Sequence, residues 1–478
     1  MRRNLGEIVV AGFLLAMSTI AGAQETSELP GLTPGTQQAQ PAAKPQPAKK
    51  ETMPPKSAQP ETAPPETSPT ESVQQPAPQE ARPPEATETE TAGEAEPAAG
   101  VEWRASVNLQ GDALLNSTLP SDRQKTTALR RARLGGQMLV GDGMRISTSA
   151  DFSRGAHLRD LYLELRKTSI YWAFGRFPEP FGLAAQESSR TSLMMEHPEP
   201  TAIGPGYGVG AAANFTGLRW GLTLGLFKAQ GTVSDEDALK GVRKEDAISG
   251  RFTYGAFRTE DRLVHFGISL SSRHPKGDTL RFVAIPESIL VKGLQVSSGL
   301  VPVDEGMSYA ATSAEFAFAK GPVLIQSEWI AAELPGLGPF GVLSYHGYYV
   351  EGGWVLTGER RPYSTRRGVF GPINPGTPWN EGSHGAWEIA MRRSVTDFSG
   401  NPFQDLDQFL GDEFFAAFGS VTTGGRGVVT SLGLNWYPTP LTRASLDGLR
   451  IEKTRKEVSE SVNAIQMRLY FQFDLPRE

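Results

Sequence analysis

The sequence predicts an all-β protein: a transmembrane antiparallel β-barrel of about sixteen strands, preceded by a disordered Pro/Glu-rich segment. Three observations lead there. From residue 101 onward, apolar residues recur with a period of two rather than 3.6. The chain opens with an export signal, and its connections alternate between short and long.

Residues 1–23 read as a signal peptide. Arg2 and Arg3 precede an apolar run from Ile8 to about Ile20, and Ala21-Gly22-Ala23 offers small residues for cleavage. Residues 24–100 hold sixteen Pro and twelve Glu but no Ile, Phe, Tyr or Trp. Such a segment buries too little apolar surface to offset its ordering entropy, so a disordered periplasmic tether is expected, either a plain spacer or a link to cell wall.

Residues 101–478 form the barrel domain. Ile465, Met467, Leu469, Phe471 and Phe473 alternate with Gln466, Arg468, Tyr470, Gln472 and Asp474, and Trp220, Leu222, Leu224 and Leu226 alternate with Arg219, Gly221, Thr223 and Gly225. A soluble sandwich would alternate in the same way; the export signal and roughly ten-residue strands favour an outer-membrane barrel with an apolar lipid face and a polar lumen. The segments are 102–112, 128–140, 144–152, 158–166, 169–177, 206–215, 219–228 and 247–256, then 262–272, 308–319, 322–332, 344–358, 384–396, 427–437, 442–453 and 462–475.

Connections after even-numbered strands are brief, as in Gly141-Asp142-Gly143 and Pro438-Thr439-Pro440, whereas 177–205 and 273–307 are long. Short turns belong at the periplasmic end. Residues 359–383 break the rule, being long on the short-turn side. They are expected either to fold into the lumen, presenting Arg360, Arg361, Arg366 and Arg367, or to hide a strand pair.

Composition excludes several functions. With no cysteine there is no disulfide, thiolate metal site or cysteine nucleophile. The formal charge of −6 resides in the N-terminal segments, and residues 101–478 carry 40 bases and 40 acids with no basic block suited to nucleic acid. The six His form no HExxH pair and no GxSxG occurs, so neither an enzyme, a metal nor a cofactor is expected.

The barrel domain has 30 Arg to 10 Lys. Guanidinium is a planar fork that can bind phosphate bidentately, and conduction needs several such sites, each weak enough to release its ion. Strand parity puts Arg131 and Arg133 in the lumen with Gln137, and likewise Arg392 with Glu388, Arg251 and Arg468. Arg130 falls on the opposite face, so it sits at the rim, snorkels, or is turned inward by a bulge. A structural ion pair with a luminal carboxylate is the alternative role for each.

Several pieces resemble the phosphate-selective porins O and P. They are Ala128-Leu129-Arg130-Arg131-Ala132-Arg133-Leu134-Gly135, Arg159-Asp160-Leu161-Tyr162-Leu163-Glu164, Gly175-Arg176-Phe177-Pro178-Glu179-Pro180-Phe181-Gly182-Leu183 and Ser188-Ser189-Arg190. Arg281-Phe282 to Pro286-Glu287-Ser288, Leu356-Thr357-Gly358-Glu359, Gly385-Ala386-Trp387-Glu388 and Leu432-Gly433-Leu434-Asn435-Trp436-Tyr437 follow in family order. The resemblance implies a trimeric sixteen-stranded barrel, narrowed by its third and fifth loops and a long periplasmic turn, that passes phosphate-like anions along its bases. Carried over, the strand-two arginines are Arg130 and Arg131 and the third-loop base is Arg190. Met195-Glu196-His197 departs from a frequent Met-Glu-Arg, placing the pH-dependent His197 where an arginine often stands. The tail beyond Phe473, Asp474 to Glu478, is a second departure.

The expected protein is therefore an outer-membrane porin of a Gram-negative bacterium for passive diffusion of small anions, phosphate or polyphosphate foremost. Its partners would be those anions, membrane lipid and two copies of itself. A weakly selective general porin and a structural barrel tying membrane to cell wall are the rival readings.

Overall fold

In the computed structural model the described residues are 101–474, apart from 230–244, 260, 278, 300, 305, 335–341, 401–421 and 456–457. The expected signal peptide and tether, and the tail beyond Asp474, lie outside them. Sixteen antiparallel strands close into a barrel, the first pairing with the last. They are β1 (Val101–Ser117), β2 (Thr127–Val140), β3 (Met144–Asp151), β4 (His157–Lys167), β5 (Ile170–Pro178), β6 (Tyr207–Thr216), β7 (Trp220–Ala229) and β8 (Glu245–Ala256). The circuit continues through β9 (Arg262–Pro275), β10 (Tyr309–Lys320), β11 (Val323–Leu334), β12 (Leu343–Val355), β13 (Ala386–Asp397), β14 (Arg426–Thr439), β15 (Thr442–Arg455) and β16 (Val458–Asp474).

Each strand stands where the period-two runs place it. Alternation succeeds because the two faces meet different solvents. Leu224, Leu226, Ile248 and Phe252 point outward and exposed, while Thr253, Ser249 and Arg251 are buried inside. At the short-turn end, Trp103, Trp172, Trp220 and Trp354 project outward, and Trp387 stacks on Trp436 at 5.7 Å between centroids. Such a ring sits at the water boundary of the bilayer.

The ladders carry four register shifts, and two of them adjust this parity at arginines. In the β1–β2 ladder Gln110 faces Arg131 and Gly111 faces Leu129, leaving Arg130 as the extra residue. In β3–β4, Ser149 faces Asp160 and Ala150 faces Leu158, leaving Arg159 over. An unpaired residue lets two consecutive side chains share one face, so Arg130 joins Arg131 inside and Arg159 joins Asp160.

The lumen is largely filled. The third loop (179–206) and fifth loop (276–308) build an apolar core from Phe181, Ile203, Phe282 and Val296 against Tyr309, Ile330 and Tyr345 of the wall. The 356–385 segment turns inward and seats Val369 and Phe370 beside Leu183, Leu263 and Leu324. It contains a two-residue strand pair, Tyr363–Ser364 with Val369–Phe370, which stays outside the barrel ladder.

Gly175 in β5 has φ +127°, and a Cβ there would lie 2.2 Å from the Leu161 carbonyl oxygen. Gly175→Ala is therefore expected to cost about 2–4 kcal/mol, read as a lower urea midpoint for unfolding from lipid vesicles; an unchanged midpoint would show that the wall relaxes freely.

Candidate anion passage

Among the spaces the fillers leave open is a cavity of about 720 Å³ along the β2–β8 side of the lumen. Ten arginines line it, 130, 131, 133, 154, 159, 176, 251, 273, 366 and 367, against five carboxylates and no lysine. The arginines divide by what they hold.

One group fixes the loops. Arg392 donates to Glu351 at 2.7 Å, Glu287 at 3.0 Å and the Glu196 carbonyl at 2.8 Å. Arg361 grips Glu388 at 2.8 and 2.9 Å and reaches the Thr191 carbonyl at 2.8 Å. Arg443 spans the Ser192 and Leu193 carbonyls at 2.7 and 3.0 Å. Arg468 pairs with Asp112 at 2.6 and 2.7 Å and also donates to the Met195 carbonyl and Glu196. Four arginines thus hold a row of backbone carbonyls from 191 to 196. Arg251 plays the same part for the inward segment, binding Glu315 at 2.8 and 2.6 Å and the carbonyls of Arg367 and Gly368 at 2.6 and 3.0 Å.

The second group faces the cavity. Arg131 donates only to Gln110, at 3.0 Å; its buried Nε has no partner, and no carboxylate pairs with it among the described residues. Arg133 pairs with Asp151 at 2.8 Å. Arg130 forms a fork on Glu196, both bonds 2.7 Å. Burial opposes ionisation of Glu196, yet Arg130 and Arg468 outweigh it and hold the carboxyl well below the usual range. Arg159 lies 4.7 Å over the Tyr207 ring and donates to its hydroxyl at 3.1 Å. Arg366 pairs with Glu164 at 2.9 Å and covers Tyr171, while Arg367 donates to the Gln186 carbonyl at 2.9 Å.

The structure thus brings Arg130, Arg131, Arg133, His197, Arg251, Arg366 and Arg367 to one cavity. Arg190 lines a neighbouring cavity of about 270 Å³ between the third loop and the inward segment, its Nε buried without a partner. Arg361, Arg392 and Arg468 are luminal but committed to carboxylates and carbonyls, and Arg360 is exposed away from both cavities. Glu388, expected beside Arg392, serves Arg361 instead. Sequence reading missed Arg154, Arg159, Arg176 and Arg273. Parity sends Arg176 outward, but it follows Gly175, whose φ departs from strand geometry; the signal for Arg159 is the Arg-Asp pair at a bulge.

A closed sixteen-stranded wall, an apolar belt and a lumen narrowed by folded-in segments are the architecture of an outer-membrane porin. Residues 104–473 match the profile of the family Phosphate-selective porin O and P, and the chain belongs to that family. It is 24% identical over 287 residues to porin O of Pseudomonas aeruginosa, covering 55% of this chain and 61% of that one. It is 26% identical over 281 residues to an uncharacterized protein of Caulobacter vibrioides, covering 57% and 55%. The matches span less than two thirds of the length of these relatives. Among solved structures, an anion-selective porin from Comamonas acidovorans overlays with TM-score 0.46 at 10% identity, over 78% of this chain and all of that one. The loop-deleted OmpT of Vibrio cholerae gives 0.46 at 10% identity, over 79% of this chain and all of the other.

Proposed function

We propose that the channel conducts small anions by passive diffusion, with phosphate or polyphosphate as its substrates. The supporting observation is the cavity wall, where ten arginines face five carboxylates. Guanidinium forks suit phosphate oxygens, and the spacing of cations over successive strands offers an ion several weak sites in turn. Family membership supports the same reading, and the trimeric state implied by the resemblance is part of the proposal. So are export by residues 1–23 and a periplasmic tether formed by 24–100, either a plain spacer or a link to cell wall.

Reversal potentials across planar bilayers in asymmetric potassium chloride test this. Chloride is expected to permeate well ahead of potassium, and millimolar phosphate to block chloride current. Equal permeability without phosphate block would make this a general diffusion porin whose arginines are balanced by the carboxylates they bind.

A further inference from the structure

We infer that Glu187 makes the charge selectivity of the passage depend on pH, its ionisation adding to the cavity wall a negative charge held in no ion pair among the described residues. This deepens the anion-passage reading and rests on it. Of the five wall carboxylates, Asp151 pairs with Arg133, Glu164 with Arg145 and Arg366, and Glu245 with Arg273; Asp160 accepts the Ser149 hydroxyl. Glu187, on the third loop, has only the Gln326 side-chain amide, 3.0 Å away, and no ion pair among the described residues. That amide also donates to Glu351 at 2.6 Å.

The surroundings make an uncancelled charge costly. Toward Glu187 face Gln326 of β11, Glu351 and Tyr349 of β12, Arg392 of β13 and Arg361 of the inward segment. Both arginines are already committed, Arg392 to Glu351 and Glu287 and Arg361 to Glu388. Burial, then the facing Glu351, pushes the Glu187 carboxyl up to about 8. Because its folded value is raised, the neutral acid prevails at neutral pH and the charge appears as pH climbs through that value.

Chloride, whose charge does not change with pH, is the probe. The chloride-to-potassium permeability ratio of the full chain is expected to fall roughly twofold between pH 7 and 9.5, since one added negative charge weakens the focusing field of the wall. Glu187→Gln should abolish most of that fall. Gln326→Leu, which removes the one donor to the ionised form, should move the midpoint of the fall to higher pH. A wild-type ratio that is flat with pH, an equal fall in Glu187→Gln, or an unmoved midpoint in Gln326→Leu would overturn the inference. A wild-type channel with no anion preference at pH 7 would instead overturn the anion-passage reading itself.

Discussion

Arg392→Ala is expected to destabilise the filled barrel by about 3–5 kcal/mol. The guanidinium is fully enclosed between Glu351 on β12 and Glu287 on the fifth loop, and it also holds the Glu196 carbonyl of the third loop. Removing it leaves two carboxylates facing each other out of reach of water, so the loss exceeds the worth of the bonds themselves. Urea unfolding from lipid vesicles, followed by tryptophan fluorescence, measures it. Restoring neutrality with Glu351→Gln and Glu287→Gln in the same chain should recover part of the loss. A single variant within about 0.5 kcal/mol of wild type would mean that the site is wet and relaxes.

The second large effect concerns passage rather than stability. Arg131→Gln with Arg133→Gln is expected to lower the chloride-to-potassium permeability ratio by roughly tenfold and to weaken phosphate block, because a narrow wall with an excess of one sign focuses its field on the entering ion. Arg131 forms no ion pair among the described residues, and loss of Arg133 uncovers Asp151. The companion variant Asp151→Asn should act in the opposite direction and raise the ratio. A double variant that conducts like wild type would reduce these arginines to structural roles.

These two sites mark what could be read in advance and what could not. Strand positions are legible because lipid and water impose opposite demands on alternate residues, and β16 shows it plainly: Ile465 is exposed outward, Arg468 buried inward. Parity likewise places Arg131, Arg251, Arg392 and Arg468 in the lumen. It cannot separate Arg131, which faces the cavity, from Arg392, which braces two loops. That difference depends on carboxylates such as Glu287, about a hundred positions away in the chain, on a loop with no periodicity to read. Bulges are only partly legible: an inward-turning bulge is one of three placements that parity leaves to Arg130, and the pairing of the ladder selects it.

The carbonyl row at 191–196 bears on the order in which the molecule assembles. Its holders, Arg361, Arg392, Arg443 and Arg468, all lie in the last third of the chain, up to 273 positions away. Contacts across such separations form late, after the closure entropy of the intervening chain has been met. The third loop can therefore lock into place only once the final hairpin has joined β1. Until then the third loop lacks the holds of Arg443 and Arg468, so its protection from protease is expected to appear only when insertion is complete.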